Sequence, residues 1–173
     1  MSASLDDYRG AEAAVERILN REHGSDEIVR QTMELLHDRF HHYSWVGIYF
    51  VEGEELVLGP WKGPHETEHV RIPIGRGICG AAAASGRTEI VDDVNADPRY
   101  LACFVSTRSE IVVPVSYQGI VVAEIDIDSD APAAFTPDDR RFLERVALLI
   151  SPHCLVGWDT GGVDWDAPSN WES

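Results

Sequence analysis

A chain of 173 residues with 44% hydrophobic and 9% aromatic residues is long enough for one domain with its own core, and too apolar to be disordered. Its formal net charge of -16, with Lys62 the only lysine, excludes nucleic acid and anionic membrane as partners, because phosphate binding needs clustered Lys and Arg. No apolar run is long enough for a membrane span and the polar start MSASLDDYRG is wrong for a secretory signal, so a cytoplasmic protein is expected, with an acid excess that suggests a salt-adapted host.

Ala11, Ala14, Val15, Ile18 and Leu19 make a helical stripe over Leu5 to Asn20, and Gly24 ends the element. Ser25 is the expected cap of a second helix, where Ile28, Val29, Met33, Leu35 and Leu36 recur near the helical period as far as Phe40. From Tyr43 the period changes to two: Trp45, Gly47 and Tyr49 alternate with Val46, Ile48 and Phe50. A tight turn over Glu52 to Glu55, with Gly53, leads into Leu56, Val57 and Leu58, and Gly59-Pro60 closes this hairpin. A polar loop from Trp61 to Glu68 precedes a short strand at Val70, Arg71 and Ile72, stopped by Pro73.

Gly75, Gly77 and Gly80 then spell GxGxxG. A dinucleotide fingerprint requires a buried parallel strand opening a βαβ unit, and the flanks here are short strands of an antiparallel sheet, so that reading is rejected. A glycine turn feeding a short helix, Ile78 to Ala84, ended by Gly86, is expected instead. Cys79 falls in its first turn, where free amides and the helix dipole favour a thiolate; the alternative is a small buried hydrophobe packing the helix on the sheet.

After a strand at Glu89 to Val91 and a turn-rich stretch from Asp92 to Arg99, a loop from Tyr100 to Ser109 carries Cys103, with Arg108 nearby. Glu110 begins a β-branched run, Gln118-Gly119 turns the chain, and Glu124, Asp126 and Asp128 alternate with Ile125 and Ile127 on the return. The three acids therefore share one face, either a solvated outer face or a pocket that wants negative charge. A plain two-residue turn pairs Glu110 with Ile127, on the wrong face to join Asp126 and Asp128. Only a one-residue shift brings Glu110 to them, and Pro114 marks a place for a bulge.

Thr136, Pro137 and Asp139 give an N-cap, a first-turn proline and a capping-box acid for a closing helix, with Phe142, Leu143, Val146, Leu149 and Ile150 on its stripe until Pro152. Cys154 reads as packing, and His41, His42 and His69 as surface or packing residues without a metal spacing. The three cysteines form no disulfide framework and no CxxC pair. The fold class is α+β, a central antiparallel sheet of about six strands with helices packed on it. One domain is expected over 1–156 (helices 5–40, sheet core 43–128, closing helix 136–152), followed by an irregular Trp-rich tail over 157–173.

In order and spacing, WVGIYF, LVLGPWKG, VRIPIGRGICG, DVNADPRYLAC, SEIVVP and EIDIDS resemble a GAF domain, specifically the free methionine-(R)-sulfoxide reductases, from about Trp45 to Leu149. The resemblance implies that Cys103 is the catalytic nucleophile and Cys79 a resolving thiol. It further implies that Glu110, Asp126 and Asp128 hold the substrate's ammonium group and sulfoxide oxygen, with Glu110 and Asp128 catalytic, and that Trp45 and Tyr49 surround its methyl group. Where many members have a further resolving cysteine before VRIP, this chain has His69. The implied partners are free methionine sulfoxide, a thioredoxin-type reductant and a second copy of the chain in a homodimer.

The chemistry is consistent with those residue types. A sulfoxide accepts a thiolate only once its oxygen is protonated, and clustered acids supply the proton because like charges close together cannot all ionise. The thiol becomes a sulfenic acid and condenses with a second thiol, so no metal or organic cofactor is needed. The acids would also raise the pKa of Cys103, which Arg108 or the small helix must offset. A non-catalytic GAF module that binds a small ligand and signals through its dimer is the alternative reading.

Overall fold

The first helix, α1 (Leu5–Leu19), starts at a capping box in which Ser4 accepts from the Asp7 amide and the Asp7 carboxylate accepts from the Ser4 amide. The computed structural model of the chain describes residues 2–102 and 104–155, so Cys103 and the Trp-rich tail lie outside the described residues. In α2 (Ser25–Arg39) the N-cap is Gly24 in an extended conformation, not Ser25. Ser25 is the first helical residue, and its hydroxyl instead meets His153 Nδ1 at 3.1 Å.

Six strands follow, β1 (Trp45–Glu52), β2 (Glu55–Lys62), β3 (Arg71–Pro73), β4 (Glu89–Val91), β5 (Ser109–Tyr117) and β6 (Ile120–Ser129), joined antiparallel in the order β3-β2-β1-β6-β5-β4. The helix α3 (Gly77–Ser85) interrupts the meander and α4 (Pro137–Ile150) closes it. Strand β2 continues through Gly59-Pro60 to Lys62, past the expected end of the hairpin. A bulge opposite Ile48 absorbs those two residues, since Gly47 pairs with Trp61 and Tyr49 with Leu58. A bulge is one of the few places a sheet tolerates a residue with no amide proton.

Alternation along the strands gives the sheet two different faces. Val46, Ile48, Phe50, Ile111, Val113, Ile125 and Ile127 form the main core with the apolar stripes of α1, α2 and α4. On the opposite face Tyr49, Leu56, Ile72 and Val112 pack under Ile78, Cys79, Ala82 and Ala83 of α3. This second, thinner core is where the acidic residues sit.

Asp139 fastens the main core. Its Oδ1 accepts from the hydroxyls of Tyr8 and Tyr43 at 2.8 Å each and lies 2.8 Å from His42 Nε2, while Oδ2 accepts from the Thr136 amide at 2.8 Å. Burial alone would raise its pKa, but the bonds from His42, Thr136, Tyr43 and Tyr8 outweigh it and hold the carboxyl below the usual range. Asp139→Ala is expected to lose the cap and strand two buried hydroxyls, lowering stability by about 3 kcal/mol in urea titration. Because this carboxyl's pKa is depressed on folding, its contribution is present above the unfolded pKa and is lost as pH falls through the folded one.

The GxGxxG stretch is explained without a nucleotide. Gly75 and Gly77 hold φ of 94° and 70°, and a Cβ on Gly80 would lie 2.8 Å from the Pro73 carbonyl. The glycines therefore make a left-handed turn and let α3 press against it. Among the described residues no helix is long and apolar enough to cross a membrane.

Candidate functional site

The hairpin β5-β6 sets the site. Gln118 and Gly119 turn the chain with φ of 50° and 82°, a primed turn that pairs Tyr117 with Ile120. The register then shifts between Ser116↔Val121 and Val115↔Ala123, leaving Val122 as an extra residue. Pro114 itself pairs regularly with Glu124, so the irregularity expected at Pro114 falls one residue further towards the turn. Its effect is the one required: Glu110 now faces Asp128, on the same side as Asp126 and Glu124.

That side is not solvated. Glu110 is 5% exposed, Glu124 0%, Asp126 2% and Asp128 2%, which overturns the outer-face reading of these acids. Ile125 and Ile127 belong to the main core, so alternation forces the three acids of β6 to the other face, beneath α3 and its flanking loops. Among the described residues none of the four makes an ion pair, and Glu110 Oε2, both Glu124 oxygens, Asp126 Oδ1 and Asp128 Oδ1 are buried without a hydrogen-bond partner. Groups so placed avoid ionising. Burial, then the neighbouring carboxylates, push Glu110, Glu124 and Asp128 well up; burial also raises Asp126, against the pull of its bonds to Glu110 and Cys79. Like charges close together are expected not to all ionise, and the fold raises the pKa of all four acids.

Cys79 sits in the first turn of α3, 3.9 Å from Glu110 Oε1. The helix dipole does not make it a thiolate. Burial and the charges of Asp126, Glu124 and Glu110 hold the thiol protonated far above its ordinary value. Cys79, Glu110, Asp126 and Tyr49 line one hollow of about 10 Å³, room for a single water molecule, with His69, Tyr100 and Leu101 among its other walls.

Cys103 lies outside the described residues; of the other expected site residues, Asp128 and Trp45 are on the same sheet. Asp128 shares the face, next to Trp45 across the ladder, but neither lines the hollow. Trp45 is buried against Trp61 and Phe104, with ring centroids 6.0 and 5.8 Å away. Its ring crosses over Gly47, where any Cβ would collide with it at 2.3 Å. Arg108 is exposed, its backbone bonded to Ser129 and Val94. His69, read from the sequence as a surface or packing residue, is one of the walls of the hollow. Its carbonyl accepts from the Tyr49 hydroxyl at 2.8 Å and its Nε2 lies 3.2 Å from the Ala102 carbonyl. No periodic signal marks a loop residue of this kind.

Glu124 was legible from the alternation but had no assigned role. Its pKa is raised on folding, so its contribution to stability is complete below the ordinary value of 4.5 and is lost as pH rises through the folded value. Urea titrations of Glu124→Gln across pH are expected to show a decline towards alkaline pH shallower by up to about 1.4 kcal/mol per pH unit.

The family profile of the GAF domain matches residues 25–152. The chain belongs to the GAF-domain family. Among GAF relatives, the free methionine-R-sulfoxide reductase of Escherichia coli is 36% identical over a stretch covering 69% of this chain and 71% of that protein. The reductase of Neisseria meningitidis, solved in complex with its substrate, superimposes with a TM-score of 0.80 at 35% identity, covering 89% of this chain and 93% of that one. The type II free methionine-R-sulfoxide reductase of Thermoplasma acidophilum gives a TM-score of 0.71 at 41% identity, covering 75% and 94%. These likenesses support a reductase reading of this GAF domain.

Proposed function

We propose that this GAF domain reduces free L-methionine (R)-S-oxide to methionine, with Cys103 as nucleophile. The observation that carries the reading is the hollow in which a thiol meets buried carboxyls with oxygens that lack a hydrogen-bond partner, beneath α3, in a chain with relatives named for this reaction. The Cys103 thiolate attacks the substrate sulfur while a buried carboxyl, Glu110 or Asp128, gives a proton to the sulfoxide oxygen. Oxygen then passes from the substrate sulfur to the Cys103 sulfur as the sulfur–sulfur bond made in the attack and the substrate's sulfur–oxygen bond both break, so methionine leaves reduced by two electrons and Cys103 is oxidised to a sulfenic acid. Cys79 then displaces that oxygen as water, forming a disulfide that a thioredoxin-type dithiol reopens.

A carboxyl that ionises when the substrate's ammonium arrives exchanges an unfavourable buried charge for a paired one, so Asp126 and its neighbours select a free amino acid. Tyr49 faces the methylthio end. A hollow of about 10 Å³ is too small for methionine sulfoxide, so Tyr100 and Leu101 move outward when substrate enters. The acting form is taken as a homodimer.

The test is direct. Reduced protein is incubated with free methionine (R)-sulfoxide and dithiothreitol, and methionine is quantified by amino-acid analysis. Methionine is expected, together with a Cys79–Cys103 disulfide in peptide maps of protein oxidised by substrate without reductant. Tight binding of another small molecule with no methionine formed would replace this reading with the sensor.

A further inference from the structure

Three donor atoms, one sulfur and two carboxylate oxygens, converge in the hollow. One ligand atom each from Cys79, Glu110 and Asp126 lie within 4.8 Å of one another, and all three residues are buried. Independently of that clustering, Glu110 Oε2 and Asp126 Oδ1 have no hydrogen-bond partner although their residues are 5% and 2% exposed. Buried oxygens of this kind cost free energy unless something satisfies them. The space left between these side chains suits an ion or a water, not an amino acid.

We propose that Cys79, Glu110 and Asp126 form a site for a single thiophilic divalent cation, with zinc as the best fit. One sulfur and two carboxylate oxygens exclude magnesium and calcium, which take oxygen donors alone, and match zinc. Zinc holds sulfur at about 2.3 Å and carboxylate oxygen at about 2.0–2.2 Å, so donors around it sit roughly 3.2–3.7 Å apart and a movement of about 1 Å closes this set. His69, a further wall of the hollow, or a water supplies the fourth position. Three elements position the ligands: the first turn of α3, the start of β5 and the middle of β6. An ion seated there engages the side chains that the reductase reading gives to substrate, so the two occupants exclude each other. That consequence rests on the reductase reading; the site does not.

The experiment reads metal binding and no activity. Protein kept reduced with a phosphine is titrated with Zn²⁺ calorimetrically in excess Mg²⁺, which occupies surface carboxylates of so acidic a chain, and separately with Co²⁺ in the near ultraviolet. One zinc per chain and a thiolate-to-cobalt charge-transfer band are expected, with Zn²⁺ affinity at least about tenfold weaker in Cys79→Ser and Asp126→Asn. The doubly substituted Cys103→Ser, Cys154→Ser chain keeps Cys79 as its only thiol and is expected to keep the band, whatever the folding of the other variants. A band absent from the native chain or lost in that double variant would overturn the site, as would uptake unchanged by Cys79→Ser.

Discussion

Cys103→Ser is expected to lower turnover of free methionine (R)-sulfoxide by at least about a thousandfold, a barrier increase of about 4 kcal/mol. A serine hydroxyl is a far weaker nucleophile at neutral pH and cannot store the transferred oxygen as a sulfenic acid. Substrate binding, followed calorimetrically, is expected to survive, because the groups assigned to the ammonium and the methyl are elsewhere. Cys79→Ser separates the two thiols. Its thiol is held protonated by burial and by the charges of Asp126, Glu124 and Glu110, which suits a resolving group better than an attacking one. With thioredoxin as the reductant, that variant is expected to complete one turnover and stall as the sulfenic acid, whereas Cys103→Ser completes none. Rapid-quench measurement of the first equivalent of methionine reads the difference.

The second large effect falls on the carboxyls. Glu110→Gln and Asp126→Asn keep size and shape and remove a proton donor or an ammonium partner, so each is expected to lower kcat/KM by about a hundredfold or more. The two effects are not expected to add, because the two side chains interact directly. Burial and the neighbouring carboxylates raise Glu110 and Asp128 well above the ordinary carboxyl range, so the donor form persists above that range and is lost as pH rises through the raised values. kcat/KM is therefore expected to fall on the alkaline side in the native chain. Glu110→Gln should change the position of that fall as well as the plateau, an outcome a purely structural role would not produce.

Much of this was legible in local sequence. The capping box at Thr136, Pro137 and Asp139 needs only four residues to specify a helix start, and the structure shows it. Alternation in EIDIDS placed Glu124, Asp126 and Asp128 on one face without any partner strand. Whether that face is wet or buried depends on α3 and its flanking loops, elements far away in the chain that periodicity cannot register. The same limit explains Cys79. A helix start predicts a lowered thiol pKa, but burial, and then three carboxyls brought in by β5 and β6, reverse the sign. The bulge was deducible as a need, since Glu110 had to shift by one residue, while its seat at Val122 depended on ladder details that Pro114 alone did not reveal. His69 escaped because loops carry no period. The Asp139 hub also combines both kinds of information: its cap was local, but its bonds to Tyr8 and Tyr43 join residues 131 and 96 positions away.

One comparison tests the central claim most directly: the rate at which the reduced protein converts free L-methionine (R)-S-oxide beside its N-acetylated counterpart, with dithiothreitol in both. Buried carboxyls reserved for an ammonium group predict rapid conversion of the free amino acid and a loss of at least about a hundredfold on acetylation. Equal rates for the two substrates, or no conversion of either, would contradict it.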